Sequence, residues 1–183
     1  MDRILRFGFI LMLIAVISAA ILSIVDGKTK PIIEELNRKK QVEARRVVMP
    51  QANRFIEEDK FLENGMEFIP AFSGNQMMGY VVSVVSQEGY AGDIVFLLGA
   101  DLEGKITGVE IVSSQETPGL GAKINEKWWK EQWIGRDIDY RFEKNIDAFA
   151  GATVSPEAVY KGIRRALFEL ENLKQEGVNY DEK

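Results

Sequence analysis

Nineteen consecutive residues, Phe7–Val25 (FGFILMLIAVISAAILSIV), carry no charge and little polarity. As a helix such a run rises about 28 Å, close to the ~30 Å hydrocarbon core of a bilayer. A lipid-buried segment must satisfy its own backbone groups, so a helix is the structure open to it. The rest of the chain, about 150 residues, is enough for one domain with its own core.

The competing reading is a cleavable signal peptide, whose apolar core spans about 7–15 residues before a small-residue cleavage site. This run is longer, and Ser18-Ala19-Ala20 lies inside it, which favours a retained anchor. Arg3 and Arg6 flank one end, while Lys28, Lys30, Arg38, Lys39 and Lys40 flank the other. A bare charge count therefore opposes export of the C-terminal part. Long C-terminal domains translocate largely regardless of charge, so the expectation is a cytoplasmic N-tail and a soluble domain on the extracytoplasmic, periplasmic side of the inner membrane.

The chain has no His and no Cys. That excludes a structural disulfide, a CxxC redox pair, a thiolate-held iron–sulfur cluster, an imidazole metal ligand and a Ser-His-Asp triad. Redox work by this chain would have to borrow an organic cofactor. The net charge of -5 gives no support to nucleic-acid binding. Arg38, Lys39, Lys40, Arg45 and Arg46 form a local basic cluster, read as the solvated face of a helix that also carries Glu34, Glu35 and Glu43.

The patterning divides the chain into an anchor over 1–27, a juxtamembrane helical stalk over 28–60 and a domain over 61–183. In the stalk, Ile32, Ile33, Leu36, Val42 and Val47 are candidate buried positions, with a break at Pro50. Residues 57–65 read as turns or a short helix. Strand patterning begins near Met78. Tyr80–Val85, Ile94–Leu98 and Ile106–Val112 are rich in β-branched and aromatic residues, and glycine-containing turns between them predict an antiparallel meander.

A helix over Lys123–Gln132 would carry Trp128, with Trp129 inside it and Trp133 at its end, either in the core or beside a flat ligand. A short strand is expected over 146–149. The last helix has Ser155 as N-cap, Pro156 at its first position, Glu157 in the first turn, and Val159, Ile163, Ala166, Leu167 and Leu170 on one apolar face. The fold class is α+β: an N-terminal transmembrane helix followed by one domain with an antiparallel sheet and flanking helices.

Two segments are candidates for chemistry. At Gly151-Ala152-Thr153 side-chain bulk disappears just before a helix N-terminus, where unpaired N–H groups and the positive dipole end favour a phosphate. Thr153 sets a hydroxyl beside that point. In Gln115-Glu116-Thr117-Pro118-Gly119-Leu120-Gly121, Pro118 fixes φ and Gly119 supplies the positive φ of a type II turn, leaving backbone that a flat ring can approach. Singly these signals are weak, since each is also an ordinary turn. The G-x-x-x-x-G-K-[ST] pattern of an NTPase is absent.

Jointly they are specific. Glu116-Thr117-Pro118-Gly119-Leu120-Gly121, Asp147–Ser155 about thirty residues on, and Gly89-Tyr90-Ala91-Gly92 ahead of a strand resemble the FMN-binding domain of the RnfG/NqrC family in order and spacing. With the single N-terminal span, the resemblance covers essentially the whole chain, and the modest domain size looks more like RnfG than the longer NqrC. The resemblance implies an electron-relay subunit of a membrane-bound ion-translocating ferredoxin:NAD oxidoreductase. It implies FMN bonded through a phosphoester to Thr153, delivered from FAD by a metal-dependent flavin transferase. Other membrane-bound Rnf subunits are the implied partners, and no residue of this chain need act as acid or base. Gly151 and Ala152 would flank the attachment point. The loop of Glu116, Thr117, Gly119, Leu120 and Gly121 would lie along the isoalloxazine, with Thr117 and Leu120 as contacts. Lys123 would either neutralise the phosphate or simply face solvent. One departure is Ala150, where the family commonly has Ser or Thr. The rivals are an NqrC-like role in a sodium-pumping NADH:quinone complex and a cofactor-free, membrane-tethered binding or assembly module.

Overall fold

The computed structural model describes residues 2–175; residues 176–183 of the expected domain lie outside the described residues. Two compact units divide at Gln41/Val42.

The first unit is the greater part of helix α1 (Asp2–Val48). Its apolar stretch is long enough to cross a membrane, and none of that stretch is buried within the protein. Ile32, Ile33 and Leu36, expected to be buried, are exposed, as are Val42 and Val47 beyond the divide. Arg38 and Lys39 pair with Glu35 at 3.2 and 3.5 Å on the solvated face predicted for them.

In the second unit α1 ends at Val48, before Pro50 and well short of residue 60. The side chains it buries there are Ala44 and Val48, followed by Met49 and Ala52, which meet Ala71, Val81 and Leu97. Arg45 departs from the solvated-face reading: it is buried and pairs with Glu57 at 2.5 Å. The close approach of this helix end depends on two glycines paired across neighbouring strands, Gly99 and Gly108, beneath the Val48 backbone. Thr107 Oγ1 donates to the Val48 carbonyl at 2.5 Å.

The sheet has six antiparallel strands: β1 (Arg54–Phe55), β2 (Phe61–Glu63), β3 (Met66–Ser73), β4 (Gln76–Ser86), β5 (Ile94–Asp101) and β6 (Ile106–Ser113). The order is β1-β3-β4-β5-β6, with β2 also pairing with β3. The meander therefore begins earlier than Met78. β2 and β3 form a hairpin through Asn64-Gly65, both at positive φ, the signature of a type I′ turn, in place of the expected irregular turns or short helix. Pro70 obscures β3 in the sequence, because proline cannot donate to a ladder. It sits where β1 and β2 leave a gap along β3, and its carbonyl accepts from Ile56 N–H at 3.1 Å.

Strand alternation separates two cores. Val82, Val84, Phe96 and Leu98 face one side, while Val81 and Leu97 face the end of α1. The larger core is closed by α4 (Val154–Gln175) through Val159, Ile163, Ala166, Leu167 and Leu170, the face its periodicity predicts. The predicted helix over 123–132 is two pieces: a 3-10 turn, Gly121–Asn125, and α2 (Lys127–Glu131), interrupted where Glu126 adopts ψ 138. Trp129 and Trp133 belong to the core, and Trp128 is exposed edge-on to Phe149. The strand expected over 146–149 is instead a single helical turn, α3 (Lys144–Asp147), followed by an isolated bridge between Phe149 and Ala152.

Candidate functional site

Three loops meet at one end of the sheet. The first is Gly89–Gly92, entering β5; the second is 115–121, leaving β6; the third is 148–153, entering α4. Each departs from the hydrogen-bonded sheet or helix, so their mutual placement depends on side-chain and turn bonds.

The second loop is held as its sequence demands. Leu120 N–H donates to the Thr117 carbonyl at 3.1 Å, and Gly119 has φ 77, the Pro118-Gly119 turn expected. The third is pinned from behind. Asp147 is fully buried, and its carboxylate accepts from Arg136 at 2.9 Å, from the Tyr140 hydroxyl at 2.8 Å and from the Glu143 N–H at 2.7 Å. Trp129 Nε1–H donates to the Asp147 carbonyl at 2.7 Å. Burial, and then the hydrogen bond to Asp147, push the Tyr140 hydroxyl up to about 12. Phe149 and Ala152 exchange backbone bonds across the turn formed by Ala150 and Gly151.

Helix α4 begins one residue earlier than predicted. Glu157 N–H bonds the Thr153 carbonyl at 3.1 Å, which makes Thr153 the capping position. Ser155, expected as N-cap, is buried in the first turn and donates its hydroxyl hydrogen to Glu116 Oε2 at 2.8 Å. Glu116 Oε1 accepts from Ala91 N–H at 3.3 Å. One buried carboxylate thus ties the first and third loops to the second. Gly121 gives it room: a Cβ there would lie 2.6 Å from Glu116 Oε2 and closer still to Ser155 Oγ.

Between the loops lies a cleft of about 300 Å³. Of the nine candidate residues, seven line it: Glu116, Thr117, Leu120, Gly121, Gly151, Ala152 and Thr153. Gly119 and Lys123 do not; Lys123 is half-buried in the 3-10 turn. Tyr90, Val154 and Ser155 complete the walls. In the sequence Tyr90 is legible only as part of a Gly-flanked motif, and Ser155 reads as a helix cap. No tryptophan lines the cleft. Ala150 is exposed and outside the lining, so the hydroxyl it lacks leaves the walls unchanged.

The volume is at the lower end of the ~300–1,000 Å³ usual for ligand sites. The glycine- and alanine-lined floor, the leucine and tyrosine walls, and a hydroxyl at a helix N-terminus suit a flat ring with a phosphate tail.

Fold and cleft together define an FMN-binding domain, and the family model described as "FMN-binding domain" matches residues 89–168, from the first loop through most of α4. The chain belongs to the RnfG family, whose members are subunits of ion-translocating oxidoreductase complexes. It is 34% identical over 193 aligned positions to the RnfG-type subunit of an ion-translocating oxidoreductase complex from Pasteurella multocida, covering 93% of this chain and 95% of that one. It is 31% identical to the corresponding subunit of a proton-translocating ferredoxin:NAD(+) oxidoreductase complex from Clostridium ljungdahlii, covering 82% and 83%. The corresponding subunit of a Na(+)-translocating ferredoxin:NAD(+) oxidoreductase complex from Acetobacterium woodii is 29% identical over 93% of each chain. The crystal structure of Shewanella oneidensis NqrC has a similar fold, with a TM-score of 0.50 at 17% identity over 69% of this chain and 73% of that one.

Proposed function

We propose that this chain is an electron-relay subunit of a membrane-bound ion-translocating ferredoxin:NAD oxidoreductase, carrying FMN bonded through its phosphate to Thr153. The observation that carries the proposal is the placement of Thr153. Its side chain lines the cleft at the cap of a 22-residue helix beside Gly151 and Ala152. Among the described residues no hydrogen bond engages its hydroxyl.

In attachment, Thr153 Oγ1 attacks the FMN phosphorus of FAD. The bond to the AMP oxygen breaks, AMP leaves, and the hydroxyl proton is lost. A flavin transferase with its divalent metal supplies the catalysis. Gly151 and Ala152 keep the approach open, and the first-turn N–H groups of α4 with its dipole favour the phosphate. Thr117, Leu120 and Tyr90 offer one polar and two apolar walls to the ring. Bound FMN supplies one-electron chemistry that no side chain of this chain can. A covalent tether keeps the cofactor from diffusing away on the extracytoplasmic side of the membrane, where we place the domain, with the N-terminal helix as its anchor among other Rnf subunits.

The test is co-expression with a flavin transferase, a denaturing gel and ultraviolet illumination. The wild-type band fluoresces and the Thr153→Ala band is dark. A dark wild-type band, as a cofactor-free tethered module would give, or an undiminished Thr153→Ala band, would refute the attachment.

A further inference from the structure

We infer that Glu116 is a fixed negative charge in the wall of the cleft that holds down the reduction potential of the flavin; the inference rests on the FMN reading above. The Glu116 side chain lines the cleft, yet the residue is only 5% exposed. Its two oxygens are taken by neutral donors, the Ala91 N–H and the Ser155 hydroxyl. Among the described residues no Lys or Arg forms an ion pair with it, whereas Asp147, buried behind the neighbouring loop, has Arg136 at 2.9 Å. A buried charge without a counter-ion is costly.

Hydrogen bonding alone does not call for that charge. Glutamine has the same shape, and its amide oxygen would accept from Ala91 N–H while its NH₂ donates to the Ser155 hydroxyl, which can donate or accept. What glutamate adds is the charge itself.

Packing also keeps the carboxylate from swinging out. A Cβ on Gly89 would stand 2.7 Å from Oε1, and one on Gly121 would stand 2.6 Å from Oε2, so the backbone of two loops closes around it. A charge fixed in a water-poor wall acts on the cleft far more strongly than a mobile, solvated one. Each electron taken up by a flavin adds negative charge, so this carboxylate opposes reduction. The hydroxyl hydrogen of Ser155, in the first turn of α4, partly offsets it.

The experiment uses the full chain in detergent, flavinylated with FAD and a flavin transferase, and titrated spectroelectrochemically with dithionite as the electron source. Glu116→Gln removes the charge and keeps the shape. At a fixed potential its ratio of reduced to oxidised flavin should rise at least tenfold, a positive shift of about 59 mV for a one-electron couple and about 30 mV for a two-electron couple. Ser155→Ala removes a donor and keeps the charge, so its potential should move the opposite way. A latch that only holds loops together would disturb both variants in the same sense.

An unshifted or more negative potential in Glu116→Gln overturns the inference, as does a more positive one in Ser155→Ala. Should Glu116→Gln fail to take flavin, Ser155→Ala decides alone: a lower potential supports the inference, and an unchanged or higher one refutes it. A fluorescent wild-type band with unshifted variants sinks this inference while leaving the FMN reading intact. A dark wild-type band sinks both.

Discussion

Gly121→Ala perturbs the point where the three loops are joined. The added methyl would lie 2.6 Å from Glu116 Oε2, 3.2 Å from Glu116 Cβ, and inside contact distance of Ser155 Oγ. Ordinary carbon–oxygen contact needs a further ångström or so, and the carboxylate has little room to retreat because the Gly89 backbone closes on its other oxygen. Overpacking of this kind costs about 1–3 kcal/mol. Parting Glu116 from Ser155, a 2.8 Å bond to a charged acceptor, costs about 1.5–3 kcal/mol more. The sum is about 3–5 kcal/mol, or a fall of roughly 10 °C in Tm for a chain of this size.

Near-ultraviolet circular dichroism is the assay, because the buried Trp129 and Trp133 report the soluble core and the exposed apolar helix contributes little. In a Ser155→Ala background the same methyl meets one obstacle fewer, and the cycle should show a coupling above about 1 kcal/mol. A Gly121→Ala protein within about 1 kcal/mol of wild type, or one equally damaged in both backgrounds, would refute the joint as described.

Two further outcomes follow from other contacts. Gly99→Ala drives a methyl into the Val48 backbone, with its carbonyl carbon 2.7 Å away; backbone cannot swing aside, so a loss of about 3 kcal/mol is expected by denaturant titration, with faster proteolysis near residues 49–53. Tyr140 has a raised pKa in the folded state, so its contribution is complete below pH 10 and drains away as pH rises through 10 towards 12; the stability gap between wild type and Tyr140→Phe should shrink over that window, and a gap that stays constant there would count against the Asp147 hub.

Much of this protein was legible one segment at a time. Hydrophobicity over Phe7–Val25 needs no tertiary partner to be read, and neither does the 3.6-residue period of α4 or the Pro118-Gly119 turn. These are properties of short windows. The misreadings lie where a window is ambiguous. Pro70 argues against a strand unless the partner edge has a gap there, and only the pairing of β1 and β2 with β3 creates one. Val42 and Val47 are more apolar than Ala44, yet Ala44 and Val48 are buried because small side chains and a Gly99–Gly108 pair set the helix end against the sheet.

The site divides in the same way. Glycines, a proline and a threonine at the right spacing marked two loops as partners, through chemistry carried by neighbours in sequence. The part played by Glu116 depends on donors 25 residues before it and 39 after it, a distance no local pattern spans. Only folding brings Ala91, Glu116 and Ser155 into hydrogen-bonding range, and only burial makes the resulting charge strong enough to matter to a cofactor.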